Sequence, residues 1–193
     1  MEEEKRYTVS EDGRQIKIHG PKEFECMRQA GRLAANCLDF ITPYVQPKVS
    51  TNKLNQLCHE FNERHGAINA PLNYRGFPKS ICTSINHVVC HGIPSEKILN
   101  EGDIINIDVT VIVDGWHGDT SRMYPVGKIN RKAERLISIT YEAMWKGINM
   151  VQPGCTLGDI GHAIQSFAEG ERLSIVRDFC GHGLGKVFHD APN

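Results

Sequence analysis

The chain has 193 residues, 40% hydrophobic and 23% charged, with 22 Lys plus Arg against 23 Asp plus Glu and a formal net charge of -1. That is the composition of an ordinary globular domain with one sizeable core, and near-neutrality without a basic run argues against nucleic acid or an anionic membrane as the main partner. No stretch reaches the roughly 18 apolar residues of a membrane span, MEEEKR lacks a signal pattern, and the seven cysteines (26, 37, 58, 82, 90, 155, 180) hold no C-x-x-C pair, which excludes a zinc ribbon and favours reduced thiols in a cytosol-like compartment.

Gly20-Pro21 opens the first predicted helix, with an apolar stripe at Phe24, Met27, Ala30, Leu33, Ala34, Cys37, Leu38 and Ile41 and proline at its first position. A second helix is predicted over 51–64, with Leu54, Leu57, Cys58 and Phe61 inward and Gly66 after its end. A Pro- and Gly-rich loop follows (APLNYRGFPK, 70–79), then two short strand-like runs in ICTSINHVVCHGIP.

The next segment, IINIDVTVIVDGWHGDTSR, carries Asp108 and Asp119 on either side of Asp114-Gly115. An Asp-Gly pair between alternating apolar residues is a hairpin signal, because a type I′ turn needs positive φ at both central residues. Strands are therefore predicted over 104–113 and 116–124. A two-residue loop sets Val113 opposite Trp116 and Thr110 opposite Asp119, leaving Asp108 diagonal to Asp119 on the same face. Two covered carboxylates repel and resist ionisation unless a cation sits between them, so one or two divalent ions would suit the pair. The alternative is that Asp119 caps a turn beside Thr120 and Ser121 while Asp108 pairs with an arginine.

A long helix is predicted over about 131–149, with Ala133, Leu136, Ile137, Thr140, Tyr141, Met144 and Ile148 inward. After Pro153-Gly154, Thr156-Leu157-Gly158-Asp159 is a capping box opening another helix with Ile160, Ala163, Ile164 and Phe167 inward. A strand over 172–178 is predicted to lead into the glycine-rich GHGLG of 181–185.

An offset of 106 residues lays Val45-Gln46-Pro47 on Val151-Gln152-Pro153, Ser50 on Thr156, Cys58 on Ile164 and Phe61 on Phe167. A helix pair of one pattern thus occurs twice, although amphipathic helices match by coincidence often enough that the shared Val-Gln-Pro carries most of the weight. The counterpart of the carboxylate hairpin would fall beyond Asn193.

Four histidines sit in contexts suited to chemistry: His91 before a Gly-Ile-Pro turn, His182 between glycines, His189 beside Asp190, and His117 in the hairpin. Singly, each is more often a surface or core residue. Gly181, Gly183 and Gly185 lack both the Walker residues and the full G-x-G-x-x-G spacing, so a phosphate loop is a weak reading. A Cys90-His91 nucleophile pair is also weak, since neighbours on a strand point to opposite faces.

Taken together, NYRGFPKSICTSINHVVCHGIP (73–94), INIDVTVIVDGWHGDTSRMYPVG (105–127) and CGHGLGKVFHDAPN (180–193) closely resemble the type I methionine aminopeptidases, from about residue 15 onward. The resemblance implies an α/β (α+β) pita-bread fold, an antiparallel sheet covered by helices with an internal pseudo-two-fold repeat, in accord with the repeated helix pair. It implies a cytoplasmic enzyme, monomeric when complete, that removes the initiator methionine from nascent chains with a small second residue and can work at the ribosome. Two divalent ions (Co, Mn, Fe or Zn) would serve as cofactors, held through Asp108, Asp119 and His182, and would supply hydroxide near neutral pH. His189 would bond the developing oxyanion and His91 the scissile amide. Tyr74, Phe77, Cys82 and Phe188, with His91 and His189, would line the substrate pocket, a wall soft enough for a thioether; plain core packing is an equal reading for Cys82.

Two departures from the family pattern bear on these expectations. Relatives usually carry cysteine at Pro71 and often tyrosine at Phe77. The family's two remaining metal-ligating glutamates, one of them the general base, follow HDAPN and are not in this sequence, which leaves three of five protein ligands. The expectation is therefore one catalytic domain, 1–193, truncated at its C-terminus (first half about 15–127, second half about 128–193 and incomplete), with weak metal binding and little activity. The competing readings are a related Xaa-Pro peptidase, against which CHGIP and HGDTSRMY argue, and a non-catalytic binding protein of the same fold, against which the intact Asp108, Asp119, His182, His91 and His189 argue.

Overall fold

A computed structural model describes residues 7–10 and 13–193; the opening MEEEKR segment lies outside the described residues. In chain order the elements are β1 (Tyr7–Val9), β2 (Gln15–Lys17), α1 (Pro21–Ile41), α2 (Thr51–Arg64), β3 (Ile68–Asn69), β4 (Cys82–Ile85), β5 (Ile104–Val113), β6 (Trp116–Pro125), α3 (Arg131–Asn149) and α4 (Leu157–Gly170). The chain divides into two compact units, residues 1–129 with 182–192, and 130–181 with 193.

In the first unit β1 and β2 form a small antiparallel ribbon, unforeseen in the sequence, and β5 organises the main sheet. β6 pairs along its whole length on one side, while β3 and β4 share the other side, Ile68 opposite Ile112 and Cys82 opposite Asp108. The period-2 alternation of β5 explains the layering. Ile105, Ile107, Val109 and Val111, all fully buried, point into a core shared with Ala34, Leu38 and Ile41 of α1 and Leu54 and Cys58 of α2. Each such side chain contributes roughly 1.5–3 kcal/mol by leaving water. Asn106, Asp108 and Thr110 are thereby turned to the opposite face.

α1 begins where the sequence puts it. The Gly20 amide donates to Glu23 Oε2 at 2.8 Å, Pro21 occupies the first turn, where no intrahelical donor is needed, and a stripe of Ala30, Ala34, Cys37, Leu38 and Ile41 is buried. Two further bonds fasten α1 to β6: the Tyr124 hydroxyl donates to Leu38 O at 2.7 Å, and Arg122 meets Asp39 at 2.8 Å. Between them Gly118 brings backbone against backbone, for a Cβ there would lie 2.2 Å from the Ala30 carbonyl.

In the second unit α3 and α4 form an antiparallel-type helix pair with capped starts: Asn130 Oδ1 accepts from Ala133 N at 2.9 Å, and Thr156 with Asp159 makes the expected capping box. α2 and α4 are both 14 residues long, start 106 residues apart and are capped by the hydroxyls of Ser50 and Thr156, so the repeat read in the sequence holds as a repeat of elements.

Three sequence expectations are corrected. In ICTSINHVVCHGIP only 82–85 forms a strand, because Asn86 and His91 take positive φ (53° and 55°) and break the extended run. No strand forms over 172–178, where Arg172 has φ 60° and no ladder partner is supplied among the described residues. On α3 the buried row is Ile139, Ala143 and Gly147, whereas Leu136, Tyr141, Met144 and Ile148 are exposed. α4 sits close because a Cβ on Gly147 would lie 2.7 Å from Ile164 Cδ1, so the small-residue row and not the bulky stripe makes this contact. Among the described residues no helix is long and apolar enough to cross a membrane.

Candidate active site

The hairpin has the predicted register. Asp114 and Gly115 take φ 49° and 81°, Val113 faces Trp116, Thr110 faces Asp119, and Asp108 faces Ser121. Asp108, Thr110 and Asp119 therefore share the face turned away from the helical core. Thr110, only 2% exposed, donates its hydroxyl to Asp119 Oδ1 at 3.0 Å. The pairing was legible in the sequence, but its role as a support for Asp119 was missed there; the threonine opposite a carboxylate was the available signal.

Three further segments of the first unit close around this face and leave a cavity of about 480 Å³. The first is the segment after Gly181. A backbone bridge between Gly183 and Asp190 folds it back on itself, and a Cβ on Gly183 would lie 2.3 Å from Ala191 O. This presents His182, Phe188 and His189 together, with the two imidazoles 4.4 Å apart. The second is the 3-10 turn Tyr74–Gly76, where Asn73, Arg75 and Gly76 all have positive φ (66°, 49° and 85°). It carries the Tyr74 ring to 4.8 Å from Phe188 and its hydroxyl to 2.9 Å from His189 Nδ1. The third is the strap after β4. The Thr83 amide donates to Gly92 O at 2.7 Å, and the approach is so close that a Cβ on Gly92 would lie 2.1 Å from Thr83 O. His91 and Ile93 reach the cavity from this strap.

The nine residues that the family resemblance assigns to the site (Asp108, Asp119, His182, His91, His189, Tyr74, Phe77, Cys82 and Phe188) line this one cavity, whereas His117, the fourth histidine singled out from the sequence, does not. Pro71, Arg75, Pro78 and Ile93 line it as well, and only Pro71 had been noticed. A polar groove of about 570 Å³ lies elsewhere on the first unit, along α2. Its groups are committed to one another, Lys79 to Asn52 at 2.6 Å, Asn52 to Glu96 at 2.6 Å and His59 to Ser80 at 2.8 Å. The reactive chemistry therefore belongs to the first cavity.

The electrostatics there are those of crowded carboxylates. Burial, and then the charge of Asp119 beside it, push Asp108 up to about 7. Burial together with the same two aspartates pushes the Cys82 thiol up to about 12, so it is an apolar wall and not a nucleophile. Burial, followed by His182, holds His189 below the usual histidine range.

Among the described residues no three His, Cys, Asp or Glu side chains close into a finished cage. The donor chemistry nevertheless fits a divalent cation. His182 Nδ1 lies 3.0 Å from Gly183 O, an oxygen that can only accept, so Nδ1 carries the proton and Nε2 keeps a lone pair in the neutral ring. That Nε2 faces Asp119 Oδ2 at 3.5 Å. A ring nitrogen facing one carboxylate, with a second buried carboxylate crowded against the first, is an arrangement completed by positive charge.

The chain matches the model of metallopeptidase family M24 over residues 25–193. It is 66% identical to the methionine aminopeptidase of Rickettsia prowazekii over 178 residues, covering 92% of this chain and 69% of that protein. It is 54% identical to the Escherichia coli methionine aminopeptidase over 180 residues, covering 92% and 68%. The crystal structure of the Rickettsia prowazekii enzyme superposes with a TM-score of 0.91 at 67% identity, covering 92% of this chain and 71% of that one. A Xaa-Pro dipeptidase from Bacillus anthracis, at 21% identity and a TM-score of 0.77, shares the fold only.

Proposed function

This chain belongs to metallopeptidase family M24 and, within it, to the methionine aminopeptidases, metallo-exopeptidases that remove N-terminal methionine, and on that premise we propose which of its residues do the work. Asp108, Asp119 and His182 would hold the divalent metal, as a pair of ions in the complete site, with Mn, Fe, Co or Zn all suited to mixed carboxylate and imidazole ligands. When bound, the metal supplies Lewis-acid chemistry, lowering the pKa of water toward neutrality and polarising the scissile carbonyl. Thr110 holds Asp119 in its orientation through the 3.0 Å hydrogen bond.

The methionine side chain is taken up by Tyr74, Phe77, Cys82 and Phe188. His189, steadied at Nδ1 by the Tyr74 hydroxyl, hydrogen-bonds the developing oxyanion. His91, on the strap after β4, contacts the scissile amide and helps the amine depart. A small second residue is favoured, as the strap of His91 and Ile93 also lines the cavity and limits the room there. The substrates are new polypeptides with methionine first, met in the cytosol, where seven free thiols are at home, and at the ribosome.

The observation that carries this reading is the convergence of two carboxylates and three imidazoles in one cavity walled by Tyr74, Phe77 and Phe188. The test is methionine release from Met-Ala-Ser, with Ala-Pro as the competing substrate, in the presence of Mn²⁺ or Co²⁺. Metal-dependent release from Met-Ala-Ser alone is expected. It should be lost in Asp108→Asn and His182→Ala. Preference for Ala-Pro, or release indifferent to both substitutions, refutes the reading.

A further inference from the structure

We propose that His117 is a positioning residue that holds the segment carrying His182, Phe188 and His189 in register with Asp119, acting through Gly185 and Phe188 and without touching substrate. His117 is 7% exposed, sits two residues before Asp119 on the same face of β6, and does not line the cavity. Its main-chain N–H donates to Gly185 O at 2.8 Å, and its ring Nδ1 lies 2.9 Å from that same oxygen. A carbonyl oxygen has two lone pairs and only accepts, so Nδ1 must carry the proton and one residue supplies both donors. The other side of the ring is spent on Phe188, stacked at 5.5 Å and 23°.

Regular secondary structure does not fix residues 182–190, so their place depends on such ties. The Gly183–Asp190 bridge closes the segment on itself, and the Tyr74–His189 bond fastens its far end. At its middle, Gly185 is seated between His117 and the His19–Trp116 pair, with a Cβ there 3.3 Å from His19 Nε2, and the Lys186 ammonium lies 5.2 Å above the Trp116 ring. His117 is the part of this seat that contacts both the backbone of the segment and a pocket side chain. A buried histidine that merely filled space would need neither the Nδ1–H tautomer nor a partner 68 residues away.

The proposal rests on the reading of His182 and His189 as site residues, but its test reads the segment itself and uses neither substrate nor metal, so failure of the catalytic reading would leave it standing. In the full chain labelled with ¹⁵N-histidine, long-range ¹H–¹⁵N spectra should show the His117 ring protonated at Nδ1. Amide exchange at Gly183 and Asp190 should quicken about tenfold in His117→Phe, which keeps a ring against Phe188 but removes the donor. His117→Asn, whose amide N–H can stand where Nδ1–H stood, should recover to within about threefold of the parent. A ring protonated only at Nε2, or equal exchange in the parent and His117→Phe, overturns the proposal. If His117→Phe does not fold, the tautomer and the asparagine variant decide it.

Discussion

Gly118→Ala isolates the contact that seats the site strand on its supporting helix. The added methyl would lie 2.2 Å from the carbonyl carbon and oxygen of Ala30 and 2.5 Å from Gly31 N. Carbon atoms rest at roughly 3.5 Å or more, so α1 and β6 would have to part by about 1.3 Å. Both sides of the clash are main chain within regular elements, and no side chain can rotate away. Overpacking absorbed by side chains costs about 1–3 kcal/mol; a clash between backbones belongs at the upper end, at about 3 kcal/mol. At roughly 2–4 °C per kcal/mol for a chain of this size, the melting temperature should fall by about 6–12 °C. Circular dichroism melts measure this directly. Gly31→Ala is the companion, because a Cβ there meets nothing within 4 Å and replacing a mid-helix glycine should raise stability by about 0.5–1 kcal/mol. If Gly118→Ala melts within about 2 °C of the parent, the close apposition of β6 and α1 is wrong, and with it the account of how Asp119 is seated.

Thr110→Val keeps the shape of a buried side chain but removes the hydroxyl given to Asp119. It should cost about 1.5–3 kcal/mol, with Thr110→Ser restoring most of that; denaturant midpoints would show it, and a valine variant as stable as the parent would contradict the assigned support. Asp108 is protonated more readily in the fold, at about 7, than in the unfolded chain at 3.8. It therefore costs stability increasingly as pH rises from about 4 through 7 in metal-free solution. Asp108→Asn should melt higher than the parent at pH 8 without divalent ions, lose that advantage below pH 4, and gain less from added Mn²⁺; equal melting at pH 8 would refute the crowded-carboxylate picture. Glu23 is held at about 2, first by its hydrogen bond with Lys17 and then by the Gly20 amide, against 4.5 unfolded. Its contribution is present above about pH 4.5 and disappears as pH falls toward 2, so melts of the parent and Glu23→Gln should differ at pH 6 and converge by pH 2. A difference independent of pH would rule that out.

Much of the site could be read without coordinates because its signals are local. The Asp114-Gly115 turn and the alternation of β5 dictate a two-residue loop and a register, and these alone set Asp108, Thr110 and Asp119 on one face. The starts of α1 and α4 were equally legible, since proline at the first turn marks one and the Thr156–Asp159 box the other. The 106-residue repeat is also written in the chain, and the matched starts of α2 and α4 bear it out.

What spacing could not supply is which surfaces meet across long separations. Periodicity marks α3 as amphipathic but not which apolar row its partner takes, and the row of Ile139, Ala143 and Gly147 took it because small residues let helices approach. A β-rich run such as 172–178 becomes a strand only when a neighbour offers a ladder, a condition external to the run. His117 reads as one of four candidate histidines, with no role of its own, until Gly185, 68 residues on, is set against it. Tyr74 reads as a pocket wall until His189, 115 residues on, accepts its company. Sequence alone determined the turns, caps, faces and carboxylate pair, because hydrogen-bond geometry and side-chain period act over a few residues. Tertiary structure decided which loops close the cavity and which side chains hold the reactive ones in place, because those contacts depend on the packing of elements that are distant along the chain.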